Sequence, residues 1–301
     1  MKAWINGNFV GWDQANVSLL SHSFGRGSAI FEVADIVPAK NGPAYFGLIE
    51  HIERLFNSAK LVFMELPYGK QEIVDAFIAT ARENQTQNGL AKLFAYFPSI
   101  EFAAVPRNKQ VDMAVFCVDY GLFDIKQEDL SRQVRSGVCS YRKIHPDTLP
   151  VHSKVCGNYV SPYLAETEVM NQGYDDVIII DMQDRVSEGG TSNVFFVKDG
   201  RLLTPTLENV LAGITRMAII EVAGDNGITV EETDIGYEAL YDFDEAFYCG
   251  SIQKIRPINS IDGRAVGNAC PGPVTSRLID AMAEVYGGTN PSYGKWLTYI
   301  S

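Results

Sequence analysis

Leu48, Ile52, Leu55, Ala59 and Val62 recur at intervals of three and four residues, which predicts an amphipathic helix over 47–63. A second helix is expected over roughly 70–84. Around them the pattern is that of strands. Ala3–Ile5 and Phe9-Val10 flank an Asn6-Gly7 pair, the signature of a tight hairpin. Apolar runs predict strands over 28–37, 92–100 and 111–119. In the second half, a strand near 133–140 precedes a helix over 160–172 and a short buried strand, Val177 to Ile180. A hairpin over 193–205 turns at Asp199-Gly200. A helix follows Gly213-Ile214-Thr215 and ends near Asn226-Gly227. Two strands bracket Glu245 to Ile258, and a last helix covers 273–286. No internal repeat or low-complexity tract appears. The alternation predicts a mixed α/β chain with a small domain over 1–122, a linker over 123–132 and a larger domain over 133–301.

Composition narrows the function classes. The 301 residues suffice for one large domain or two ordinary ones, and 46% hydrophobic with 21% charged residues is a globular balance. A formal net charge of −12 argues against a nucleic-acid binder, because phosphate contacts need clustered Lys and Arg. No apolar run reaches the length of a membrane span, and the N-terminus lacks the apolar core of a signal peptide. The five cysteines are scattered, without a Cys-x-x-Cys pair, and there are only four histidines. No metal site is expected, and reduced thiols in a cytoplasmic protein are.

The chemistry concentrates in two stretches. One runs Pro150-Val151-His152-Ser153-Lys154-Val155-Cys156-Gly157-Asn158-Tyr159; the other contains Ser187-Glu188-Gly189-Gly190. A lysine amine forms a Schiff base with an aldehyde cofactor, and a buried carboxylate keeps a pyridine nitrogen protonated. Pyridoxal 5'-phosphate needs both, with a donor to its phenolic oxygen and an anion cradle for its phosphate. Tyr159 is the candidate phenol donor. The helix opening at Gly213-Ile214-Thr215 offers backbone N–H groups and a hydroxyl, Ser251 a second hydroxyl, and Arg54 a guanidinium. Each residue alone has a plain structural alternative: a solvated lysine, a turn glutamate, a helix-start threonine, a surface arginine. The joint pattern carries the reading. His22 and His51 read as structural hydrogen-bonding residues, and His145 and His152 receive no proton-transfer role.

This pattern resembles the fold type IV pyridoxal-phosphate enzymes, which include branched-chain aminotransferases, D-amino-acid aminotransferases and aminodeoxychorismate lyase. The likeness starts at Trp4-Ile5-Asn6-Gly7, passes through Phe24-Gly25-Arg26-Gly27 and His51-Ile52-Glu53-Arg54-Leu55, and continues through the two stretches above to Gly213-Ile214-Thr215-Arg216, Gly250-Ser251 and Gly272-Pro273-Val274-Thr275. It implies a small N-terminal α/β domain, a larger barrel-like α/β domain carrying Lys154, and a homodimer or higher homo-oligomer. By that resemblance Lys154 is the Schiff-base lysine, Glu188 the pyridine-nitrogen partner and Tyr159 the contact of the phenolic oxygen. Arg54, Ile214, Thr215 and Ser251 hold the phosphate. The implied reaction is a ping-pong transfer of an amino group between an amino acid or amine and a 2-oxo acid, closest to the branched-chain aminotransferases. The alternatives are a lyase of the aminodeoxychorismate type and a D-amino-acid or (R)-amine transaminase. A remote one, a nucleotide-dependent oxidoreductase, rests on Gly25-Arg26-Gly27, which lacks a third glycine.

The chain departs from the family where substrate is held. Lys92-Leu93-Phe94 stands where a Tyr-x-Arg pattern is usual, Arg26 where a tyrosine is, and Phe123 where an active-site tyrosine is. An altered carboxylate site is therefore expected. Arg26 is the candidate anchor, and Phe31, Phe94, Tyr96 and Phe123 are candidates for an apolar pocket.

Overall fold

The computed structural model describes residues 1–123, 125 and 132–300; of the expected linker over 123–132, positions 124 and 126–131 lie outside the described residues. The chain divides into two compact units. The first comprises Met1–Ile125, Ser153–Asn158 and Val285–Ser301, and the second Lys126–His152 and Tyr159–Glu284.

In the first unit β1 (Lys2–Ile5) and β2 (Asn8–Gly11) form the N-terminal hairpin, with positive φ at Asn6 and Gly7. A short helix α1 (His22–Arg26) leads into β3 (Ile30–Ala39) and β4 (Gly42–Phe46). Helices α2 (Leu48–Leu61) and α3 (Lys70–Glu83) precede β5 (Gly89–Tyr96) and β6 (Asp112–Asp119). With the C-terminal strand Leu297–Tyr299 these build an antiparallel sheet ordered C-terminal strand-β4-β3-β5-β6-β1-β2. Period-two alternation sends Ile30, Ala34, Ala91, Leu93, Met113 and Val115 to the face covered by α2 and α3, where they pack with Ile52, Leu55, Ile73 and Phe77. Burying each such large side chain contributes about 1.5–3 kcal/mol. The other face carries Phe31, Lys92, Phe94 and Phe116, joined by the register that sets Phe31 opposite Phe94 and Lys92 opposite Phe116.

β4 was not expected from sequence. Its Gly42-Pro43 start reads as a breaker, but Pro43 sits opposite Pro38 at the end of the ladder, where a missing donor costs little. β5 begins three residues earlier than its apolar run and stops at Tyr96, short of Pro98, which cannot donate to the ladder.

The sequence expectation places Lys154 in the C-terminal domain; by packing, residues 153–158 group with the first unit. The reason is backbone pairing at the start of β3. Phe31 N donates to Lys154 O at 3.0 Å, Cys156 N to Ala29 O at 2.8 Å, and Gly157 N to Gly27 O at 2.9 Å. Two glycines make this approach possible. Gly27 has φ +64°, and a Cβ there would stand 2.9 Å from Gly157 Cα.

The second unit contains β7 (Val134–Arg142), α4 (Val160–Asn171), β8 (Asp176–Ile180), β9 (Val186–Gly189), β10 (Asn193–Lys198) and β11 (Arg201–Thr204). It continues through α5 (Ile214–Asp225), β12 (Val230–Glu232), β13 (Glu245–Gly250), β14 (Lys254–Ile261), β15 (Arg264–Ala265) and α6 (Pro273–Gly287), the last to Glu284. The ladder runs β12-β11-β10-β13-β14-β7-β8-β9, with β15 on β14. The pairs β11/β12, β14/β7 and β7/β8 are parallel, and the other pairs are antiparallel. β9 ends the ladder, yet a turn closed by Gly189 N to Ser192 O at 2.8 Å leads straight into β10, third from the other end. The sheet therefore curls. Val186, Val194, Phe196, Ile178 and Ile258, drawn from both halves of the ladder, meet in one apolar cluster.

Candidate active site

Lys154 is positioned by its backbone. Ser58, near the end of α2, takes a hydrogen bond from Lys154 N on its Oγ at 3.0 Å and one from Ser153 Oγ on its carbonyl at 3.1 Å. With the pairing to β3, this fixes the Cα of Lys154 and leaves its side chain to the far face, where Nζ lies 4.8 Å from the Phe31 ring centroid. Beneath the sheet sits a buried cluster. Glu32 Oε2 meets His51 Nδ1 at 2.8 Å, and Arg54 forks Glu32, Nε to Oε1 at 2.8 Å and Nη2 to Oε2 at 2.7 Å. His51 and Arg54 share one face of α2 three residues apart. Burial pushes the Glu32 carboxyl up, but Arg54 and His51 together outweigh it and hold it at about 2; burial also lowers the His51 pKa.

In the second unit Glu188 lies on β9, buried, with both oxygens engaged. Lys143 Nζ contacts Oε1, and Leu211 N donates to Oε2 at 3.3 Å. Ser187 Oγ donates to Asn209 O at 3.2 Å, tying β9 to the segment before α5. Asn193 Nδ2 donates to Leu211 O at 3.0 Å, and its Oδ1 occupies the place a Cβ on Gly213 would take, which fixes the entry to α5. The helix begins at Ile214 behind Gly213, an N-cap residue with no side-chain cap hydrogen bond for its first N–H groups. Thr215 Oγ1 is buried without a hydrogen-bond partner among the described residues. An uncapped helix N-terminus with an orphaned hydroxyl fits a phosphate group. Tyr159 closes a 3-10 turn, Cys156–Tyr159, and Ser251 follows the end of β13; both are half-buried.

The substrate candidates divide. Phe31 and Phe94 meet across β3 and β5, ring centroids 6.1 Å apart. Tyr96 follows on the same face of β5, its hydroxyl pKa raised by burial and by Asp112. Phe123 is exposed and stacks on Trp12 at 6.3 Å. Arg26 is exposed at the end of α1 and spends donors on carbonyls, Nη1 to Gly25 O at 3.3 Å and Nη2 to Phe102 O at 3.2 Å. His22 is structural, bridging Ser28 Oγ at 2.9 Å and Ala104 O at 3.0 Å.

Four residues around these groups were not among the candidate site residues: Ser58, Glu32, Lys143 and Lys92. The first three act through long-range partners, and Lys92 is set apart by the two rings around it, Phe31 at 4.8 Å and Phe94 at 4.6 Å. No cluster of metal-ligating side chains occurs among the described residues, and no described helix is long and apolar enough to cross a membrane.

The family model "Amino-transferase class IV" matches residues 29–261. The branched-chain-amino-acid aminotransferase of Escherichia coli is 32% identical over 300 residues, 99% of this chain and 97% of that one. A solved branched-chain aminotransferase from Thermoproteus uzoniensis, with norvaline, superposes with TM-score 0.94 at 33% identity over 100% of this chain and 99% of that one. The branched-chain amino acid aminotransferase of Thermobaculum terrenum, solved in its PLP-form, gives TM-score 0.93 at 29% identity over 100% and 98%.

Proposed function

The chain belongs to the class IV aminotransferases, pyridoxal-phosphate-dependent transaminases of fold type IV, and from that premise we propose that it moves an amino group between an amino acid and a 2-oxo acid in a branched-chain-aminotransferase-like site whose carboxylate subsite has changed. The carrying observation is the far face of β5, which presents Lys92 and Phe94 and no arginine.

Bound pyridoxal phosphate supplies an aldehyde that takes up amino nitrogen and a ring that accepts the electron pair released at the substrate's Cα. Lys154 Nζ would hold the cofactor's aldehyde carbon, then carry the α-proton as general base and return it as general acid. Glu188 would accept the hydrogen bond of the protonated ring nitrogen. Lys143 and the Leu211 N–H hold its two oxygens in place for that task. The N–H of Ile214, the hydroxyls of Thr215 and Ser251, and the Arg54 guanidinium would take the phosphate, with Tyr159 donating to the phenolic oxygen. Glu32 keeps Arg54 in one orientation. Arg26 and Lys92 are the cations open to the substrate carboxylate. The working unit would be a homodimer or larger homo-oligomer.

The test is a half-reaction screen. Holoenzyme is mixed with L-amino acids, D-amino acids and (R)- and (S)-amines, and cofactor absorbance and released 2-oxo acid are followed. Amino transfer completed by a 2-oxo acid is expected, with borohydride labelling at Lys154. Pyruvate release from aminodeoxychorismate with no transfer to any acceptor would replace this reading with a lyase.

A further inference from the structure

Lys92 is half-buried on the far face of β5. What touches its Nζ among the described residues is aromatic: the Phe31 ring at 4.8 Å and the Phe94 ring at 4.6 Å, with the Cys156 thiol near. No carboxylate pairs with it there. An ammonium withdrawn from water without an anion is held at a cost, and ring faces repay only part of it. Lys154 Nζ lies 4.8 Å from the centroid of the same Phe31 ring, so the two amines are at most twice that distance apart. A substrate whose nitrogen would replace Lys154 on the cofactor's aldehyde carbon carries its carboxyl carbon two bonds from that nitrogen. The flexible stem of Lys92 spans what remains.

We infer that Lys92 is the specificity residue that binds the substrate's α-carboxylate. The ammonium leaves the two rings for a charge-assisted hydrogen bond to the carboxylate, and Phe31 and Phe94 keep that contact shielded from water. The group selected is an α-amino acid or 2-oxo acid over a plain amine. Arg26 is the weaker claimant, being exposed and bonded to the Gly25 and Phe102 carbonyls. This inference rests on Lys154 being the reacting amine.

The experiment uses holoenzyme carrying Lys92→Met, which keeps an unbranched stem against both rings, beside Arg26→Ala. Half-reaction kcat/KM is measured for the best amino acid of the screen and for the amine that differs only by lacking the carboxylate. Calorimetry gives the Kd of 4-methylvalerate, leucine without its amino group. Lys92→Met is expected to cost about 10–100-fold on the amino acid and on 4-methylvalerate, and no more than about threefold on the amine. Equal losses on both donors, or a selective loss confined to Arg26→Ala, would overturn the assignment. A wild-type enzyme inert to every donor would defeat the Lys154 reading instead, and the calorimetric arm would still judge Lys92. Should Lys92→Met misfold, acetic anhydride labelling of the unmutated holoenzyme decides: 4-methylvalerate must protect Lys92, and unchanged labelling refutes the role.

Discussion

Phe31 and Glu32 are neighbours on one strand and face opposite sides of one sheet. On the helix side, the Glu32 carboxylate is closed off by the His51 imidazole and the Arg54 guanidinium at 2.7–2.8 Å. On the far side, Phe31 is approached by two lysine amines, and what meets Lys92 is ring rather than carboxylate. A satisfied buried network fixes position; a cation left against apolar surface gains from an incoming anion. The second unit repeats the contrast. Glu188 has both oxygens engaged, whereas Thr215 Oγ1 has no hydrogen-bond partner among the described residues and α5 starts without a side-chain cap.

The largest effect should come from Lys154→Ala. Because Lys154 is positioned through its backbone, this change should lower turnover by about 10²–10⁴-fold while leaving the melting temperature nearly unchanged. A large fall in melting temperature would show that its side chain belongs to the closed class.

Next is Glu32→Gln, which takes the buried counter-charge from Arg54 and should cost about 3 kcal/mol in urea unfolding. A loss under about 0.5 kcal/mol, the range of ordinary surface changes, would erase the distinction between the faces.

Acid sharpens the same point. Glu32 and His51 both have folded pKa values below their ordinary ones of 4.5 and 6.5, so each contributes stability above its ordinary pKa and loses it as pH falls. Unfolding free energy should therefore decline below about pH 6.5 as His51 takes up a proton more readily in the unfolded chain. It should decline more steeply from pH 4.5 toward about 2 as Glu32 does the same. In Glu32→Gln the second decline should lose one proton's worth of slope.

Thr215→Val should leave the apoprotein as stable as before, since the hydroxyl has no partner to lose, yet weaken pyridoxal phosphate binding about tenfold by equilibrium dialysis. Equal affinity would return Thr215 to an ordinary helix-start residue. The smallest effect is expected of Phe123→Leu, which gives up the stack on Trp12 and should cost about 0.5–1 kcal/mol in thermal unfolding, with no change in donor preference.

Much of this molecule was readable in advance where the determinant is local. The helix over 47–63 appears as Leu48–Leu61, and the Asp199-Gly200 hairpin has positive φ at both turn residues, because spacing and turn chemistry act within a few positions. β4 was missed because its Pro43 is tolerated only by its place opposite Pro38. Lys154 and Glu188 stand out because each sits in a distinctive local string. Lys143, Ser58 and Glu32 do not, since their partners lie 45, 96 and 22 residues away.

By itself the sequence determined the family and its cofactor chemistry, because short-range patterns of glycine, lysine and carboxylate encode them. Only the tertiary structure decided which of those groups are already satisfied. Satisfaction of a polar group depends on what other strands and helices bring beside it, and that is why Glu32 is closed, Thr215 Oγ1 has no partner among the described residues, and Lys92 lies against two rings.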